Sequence, residues 1–205
     1  MEPALPGLSV RLPEVRPGGA RSLDRAIRAR RSTRSFAERP LALAQLAELL
    51  WAAQGISDPA GGRTTPSAAA LYPLEVYVAA GGVGGLAPGT YRYRPQGHEL
   101  VPVDAVDRRA ALAACVYEQD WVAGAPAILV IAAVPERTTT LYGERGLRYV
   151  FLEAGHAAQN VHLQAAAAGL GTVIVGAFED GAVKLAAALP EDTEPVVLMP
   201  VGHPG

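Results

Sequence analysis

The chain has 205 residues, half of them hydrophobic, with 22 glycines, 17 prolines and a formal net charge of −2. That length suits one domain with a sizeable core, and the small net charge argues against a general nucleic-acid or membrane-surface binder. The single cysteine, Cys115, allows no internal disulfide and suits a reducing cytoplasm, where we expect the protein; no secretory leader or membrane span is visible.

Residues 1–20 carry Pro3, Pro6, Pro13, Pro17, Gly7, Gly18 and Gly19 and predict an irregular arm ahead of a single domain over 21–205. Ser22 can cap a first helix, with Asp24 in its first turn. The helix runs into Arg30-Arg31-Ser32-Thr33-Arg34-Ser35-Phe36. Guanidinium forks match phosphate oxygens bidentately and hydroxyls can complete the shell. The alternative is that the arginines only offset the helix dipole, a task that needs neither three cations nor the hydroxyls.

Pro40 precedes a second helix over Leu43–Gln54, closed by Gly55. Arg63–Pro73 is a loop bounded by Pro66 and Pro73, and Leu74–Ala79 reads as a strand. Gly82, Gly84 and Ala87 fit a dinucleotide fingerprint, but Pro88-Gly89 follows where a helix N-terminus would have to face a pyrophosphate. The stretch is therefore read as a loop.

Thr90–Arg94 and Glu99–Val103 alternate around Pro-Gln-Gly-His and predict a hairpin. Asp104 or Asp107 can cap a helix to about Val116, and Ala127–Val134 is a strand buried on both faces. Pro135–Gly146 reads as a polar loop. A long helix follows, rich in Ala, Leu and Gln, and Gly169 stops it. Glu153, His156, Asn160 and Gln164 recur at steps of three and four and form one polar stripe. That stripe is either a solvated edge or a buried seam against a cofactor or a twin subunit. Thr172–Val175 predicts a short strand, Asp180 a cap for a helix over Ala182–Leu189, and Pro195–Val201 a final buried strand. This order gives an α+β domain with a mixed sheet.

Common catalytic signatures are missing. There is no G-x-S-x-G elbow, no H-E-x-x-H, no P-loop, and the four histidines lack metal-ligand spacing. Chemistry would then fall to a cofactor. A phosphate grip at Arg30–Arg34 with small-residue backbone at 174–177 would suit a mononucleotide.

Ile27–Phe36 resembles the opening motif of the flavin-dependent nitroreductase family. Pro66–Pro73, Tyr91–Tyr93, Tyr142–Gly146 with Arg148-Tyr149, and Gly155–Asn160 are similar to the SagB-type dehydrogenase branch of that family, and Leu170–Phe178 and Pro200–Gly202 fit as well. The resemblance implies an α+β nitroreductase-like fold. Its central sheet would be mixed and mostly antiparallel, flanked by helices, with the long helix at the centre of a homodimer. It implies FMN at the subunit interface and NAD(P)H as co-substrate. Arg30, Arg31, Ser32 and Arg34 would hold phosphate and ribityl groups. Pro66, Ser67 and Ala68 would reach the flavin from the other subunit, and Leu71 would also bind it. Gln119 would bond the ring edge, and Ile174, Val175, Gly176 and Ala177 would pass along the isoalloxazine.

The implied activity is ping-pong reduction of nitro compounds, quinones or a related acceptor. The alternatives are a dehydrogenase of a peptide azoline or another natural product, and a flavin-binding module without turnover. The sequence departs from the family pattern in three places. Leu141 precedes Tyr142 where azoline dehydrogenases carry lysine, leaving Tyr142 as the candidate proton donor. Ala69 stands at a usual glycine position, which is strained if that position needs positive φ. Where relatives continue with basic residues after the final strand, His203 is the candidate phosphate contact.

Overall fold

The computed structural model describes residues 9–15 and 22–205. Its frame is a seven-stranded sheet. The strands are β1 (Val10–Arg11), β3 (Leu74–Ala80), β5 (Gly89–Arg94), β6 (Glu99–Asp104), β7 (Ala127–Ala133), β8 (Gly171–Thr172) and β9 (Glu194–Gly202), in the order β1-β6-β5-β3-β7-β9-β8. Every neighbouring pair in that sheet is antiparallel. β2 (Leu41–Ala42) and β4 (Val83–Gly84) form a separate parallel pair. The helices are α1 (Leu23–Ala29), α2 (Leu43–Gln54), α3 (Arg109–Ala114), α4 (Glu136–Tyr142), α5 (Arg145–Ala168) and α6 (Asp180–Ala186). This is the α+β, nitroreductase-like architecture that the sequence implied, with the difference that the central sheet is wholly antiparallel rather than mixed, the parallel strand pair β2–β4 lying outside it.

β7 shows why the apolar runs are continuous. Ala127, Leu129, Ile131 and Ala133 enter a core shared with α2 and α5. Ile128, Val130 and Ala132 enter a second core with Leu112 of α3 and Val183 of α6. Both faces are covered, so strict hydrophobic alternation is absent.

Several local expectations need correction. Residues 135–146 are not simply a loop, because α4 occupies Glu136–Tyr142. Three consecutive threonines have weak helix propensity, but Thr138 is fully buried and the Thr140 hydroxyl donates to the Glu136 carbonyl. The long helix begins at Arg145, inside the stretch expected to be loop. It ends as expected, with Gly169 left-handed at φ 72°.

The strand expected over Thr172–Val175 is only Gly171–Thr172, plus an isolated bridge between Val175 and Leu198. Both pairings share one register, which sets Val173 opposite Pro200. Proline has no N–H to give, so the ladder breaks there.

Neither Asp104 nor Asp107 is the N-cap of α3; that position is Arg108, without a side-chain cap. Asp104 instead accepts from the Val106 N–H and pairs with Arg108, while Asp107 grips Arg109. Glu179 rather than Asp180 caps α6, accepting from the Gly181 and Ala182 amides. Within the expected N-terminal arm, Val10–Arg11 adds an edge strand to β6 and Leu12 is buried; residues 1–8 and 16–20 of the arm lie outside the described ones. No helix among the described residues is long and apolar enough to cross a membrane.

Candidate active site

Three segments from distant parts of the sequence converge at the β8–β9 edge. The first leaves α1. Ser22 caps that helix by accepting from Arg25 N–H at 3.3 Å, and Arg30 turns out of it at ψ 123°. Residues 31–36 then run extended between β8 and the C-terminal residues. Ser32 bridges Thr172, Thr33 N–H donates to the Thr172 carbonyl at 3.0 Å, Ala37 N–H donates to His203, and Gly205 N–H donates to Ser35. The approach is close at Gly171, where a Cβ would sit 2.5 Å from the Thr33 side chain.

The second segment is 173–178. Val175 exchanges two backbone hydrogen bonds with Leu198, both at 2.9 Å. Tyr117 N–H donates to Ala177, which ties in the third segment, 115–121. Val173 and Val175 are buried, whereas Ile174, Gly176 and Ala177 face outward. A Cβ on Gly176 would meet nothing within 4 Å, so open space lies beside that backbone.

Arg30, Arg31, Thr33, Thr172, Pro204 and His162 of α5 line a cavity of about 320 Å³ here. Arg31 Nη1 donates to the Arg28 and Arg30 carbonyls, and the Arg34 guanidinium lies 6.0 Å from the Trp121 ring centre. Among the described residues, none of Arg30, Arg31 and Arg34 is in an ion pair, although other arginines of the chain are. Guanidiniums without carboxylate partners at a cavity suit an anionic group such as a phosphate.

His162 was not anticipated as a site residue. It is 4% exposed, and its Nδ1 has no hydrogen-bond partner. Burial, and secondarily the charge of Arg30, push it down to about 4, so the ring is neutral at pH 7. The Thr172 hydroxyl beside it also lacks a partner. No pattern in the sequence marks this histidine, because it falls off the polar stripe and only the fold carries it to Arg30.

The remaining expected residues are placed elsewhere in the chain. Gln119, within the third segment, is half-buried ahead of a short 3₁₀ turn. The His203 ring lies near Arg39 and Pro40, and Pro204 takes the cavity wall instead. Pro66, Ser67, Ala68 and Leu71 belong to a loop on the α5 side. There Ala68 N–H donates to the buried Glu153 carboxylate at 2.9 Å, and Ser67 Oγ accepts from Tyr72 N–H. Among the described residues, no hydrogen bond joins that loop to residues 30–36. Tyr142 ends α4 on the surface, edge-on to Tyr149 at 5.0 Å, and Leu141 is exposed.

The polar stripe of α5 resolves into braces within the chain. Besides Glu153, Asn160 donates to Thr64 and Thr65, and Gln164 donates to Glu48 of α2. Only His156 of the four is exposed.

The fold is of the nitroreductase type, and the comparisons agree. The nitroreductase family pattern matches residues 27–203, and the chain belongs to that family. It is an enzyme of the flavin-dependent oxidoreductase class. A protein of Methanocaldococcus jannaschii that carries the name nitroreductase is 44% identical over 198 residues, 96% of each chain. A crystal structure from Ralstonia eutropha, also named for a nitroreductase, superposes with a TM-score of 0.85 at 36% identity, covering 96% of this chain and 90% of that one. The microcin synthetase complex of Escherichia coli shares the fold, with a TM-score of 0.74 at 24% identity over 83% of this chain and 67% of that one.

Proposed function

We propose that the enzyme uses FMN and NAD(P)H in a ping-pong reduction of nitro compounds, quinones or a related acceptor. The observation that carries this reading is that Arg30 and Arg31, free of carboxylate partners among the described residues, line a cavity with Thr172, and the segment that follows Thr172 turns Ile174, Gly176 and Ala177 outward. Arg30, Arg31, Ser32 and Arg34 would hold the phosphate and ribityl chain. The 174–177 backbone would lie along the isoalloxazine and offer N–H donors to its developing negative charge. Gln119 would bond the ring edge. The chemistry the bound flavin supplies is two-electron transfer from the nicotinamide to an acceptor that follows it at the same face. The residues present bind, orient and exclude water; none of them is required to be an acid or base.

The complete site would need two subunits, since Pro66, Ser67, Ala68 and Leu71 sit on the α5 side rather than beside Arg30. We place the chain in the SagB-type branch on its motifs, with reduction favoured over azoline oxidation. Leu141 is 61% exposed and cannot carry a proton, and the Tyr142 ring packs on Tyr149.

The test is an absorbance spectrum of purified protein before and after adding FMN, followed by NADH and NADPH oxidation with a nitroarene or quinone. Flavin bands that survive gel filtration, with turnover, support the reading. A colourless protein that ignores FMN would sink it. The Arg30→Ala/Arg34→Ala double variant should stay folded and lose the flavin; full FMN occupancy there would remove both residues from the site.

A further inference from the structure

A second basic cleft lies away from the flavin edge, where β3, β5 and the end of α2 meet. Its volume is about 300 Å³, at the lower end of small-ligand pockets. Four guanidiniums line it: Arg63, Arg92, Arg94 and Arg137. Their direct carboxylate partners number two. Glu75 takes Arg92 Nε at 2.9 Å and Arg137 Nη2 at 2.7 Å, while Glu99 takes Arg94 Nε at 2.7 Å. Glu75 is therefore fully engaged on both oxygens, and the directly paired set keeps an excess of two positive charges.

Arg63 shows the imbalance most clearly. Its Nη1 donates to the Gln54 amide oxygen at 2.7 Å, and its guanidinium stacks 4.4 Å from the Tyr72 ring centre. Among the described residues it has no carboxylate in contact. Burial pushes it below the ordinary arginine value, yet a guanidinium keeps its proton, so the charge stays in the half-buried wall. The Glu75 charge opposes that shift from nearby, but both its oxygens are taken by Arg92 and Arg137, so an anion in the cleft would offset the desolvation cost that remains. Glu75 holds Arg92 and Arg137, and Tyr72 holds Arg63, so these forks are fixed before any ligand arrives.

We propose that this cleft binds a phosphate monoester: a dianion that matches the two-charge excess, carried on a small organic group that fills the remaining volume. Arg63 and Arg92 are the principal phosphoryl contacts, and Gln96 on the cleft wall is placed to meet the organic part. The site shares no residue with the Arg30–Arg34 segment and stands whether or not that segment holds FMN.

The test is isothermal titration calorimetry of the full chain with two probes, glycerol 3-phosphate and adenosine 5′-monophosphate, at constant ionic strength. We expect saturable binding of at least one. Preference for the first identifies a simple phosphorylated metabolite, and preference for the second a nucleotide. Arg63→Gln and Arg92→Gln should each weaken the binding about tenfold or more, while Arg30→Ala/Arg34→Ala should leave it unchanged. If Arg63→Gln fails to fold by circular dichroism, Arg92→Gln carries the test, because its side chain is 49% exposed. The proposal is overturned if the wild-type chain binds neither probe, if folded cleft variants bind as the wild type does, or if binding disappears with Arg30 and Arg34.

Discussion

Ala69, Ala70 and Tyr72 hold φ values of 50°, 53° and 47°, a cluster of left-handed non-glycine residues in the loop that carries Pro66–Ala68. Each such residue costs about 1–2 kcal/mol relative to ordinary backbone. Ala69 is exposed, so its methyl group gains little from packing. Glycine would relieve the strain but gain about 0.4–1 kcal/mol of unfolded-state entropy. Ala69→Gly should therefore stabilise the protein by about 0.5–1 kcal/mol in urea unfolding; a loss would show that the methyl packs. The sequence flagged Ala69 through its place in a family motif. Ala70 and Tyr72 were silent, because nothing in a residue's identity records a φ imposed by its neighbours. His162 makes a second prediction at this scale. Its folded value near 4 lies below the ordinary 6.5, so between those values the unfolded chain binds more protons. Its contribution is present above about pH 6.5 and is lost as pH falls through about 4. The total is up to about 3 kcal/mol. Thermal unfolding of His162→Leu should show a shallower decline over that window than the wild type, and parallel curves would mean that the histidine titrates normally.

Elements with a strong internal signal were legible: α2 matches its expected span, and the β5–β6 hairpin lies within a residue of its own. What escaped was set by tertiary partners. The α4 threonines are helical because α5 packs against them, and the 172–175 strand is cut by Pro200 on the neighbouring strand β9. The site followed the same division. Arg30 and Arg31 could be singled out from the local sequence, whereas His162 and Thr172 reach the same cavity only through helix and sheet placement. The α4–α5 contact is itself testable. Gly146 is buried, and a Cβ there would lie 2.8 Å from the Thr139 backbone. Backbone cannot swing aside as a side-chain tip can. Gly146→Ala should destabilise by about 1–3 kcal/mol despite alanine's better helix propensity. A neutral result in denaturant unfolding would mean that α4 shifts freely.

On the scale of the whole molecule, α5 has one face in the core and the other uncovered. Leu147, Phe151 and Leu152 are 42%, 62% and 53% exposed, and Gly155 follows Phe151 by one turn with nothing near its missing side chain. A helix with this much exposed apolar surface and a small residue in the stripe suits packing on a second copy, and a twofold axis would let the same residues meet their equivalents. Glu153, on the neighbouring face, holds Ala68, so a partner docked on α5 would bring its own 66–68 loop with it. Dimer contact and flavin retention should therefore fail together. Phe151→Glu places a charge in the centre of that face while leaving the buried side of α5 untouched. We expect it to sediment as a folded monomer and to lose most of its FMN, although Arg30 and Arg34 are intact. A variant that stays dimeric would remove this face from the interface. A monomer with full FMN occupancy would show instead that one subunit completes the flavin site alone, and the 66–68 loop would then need another role.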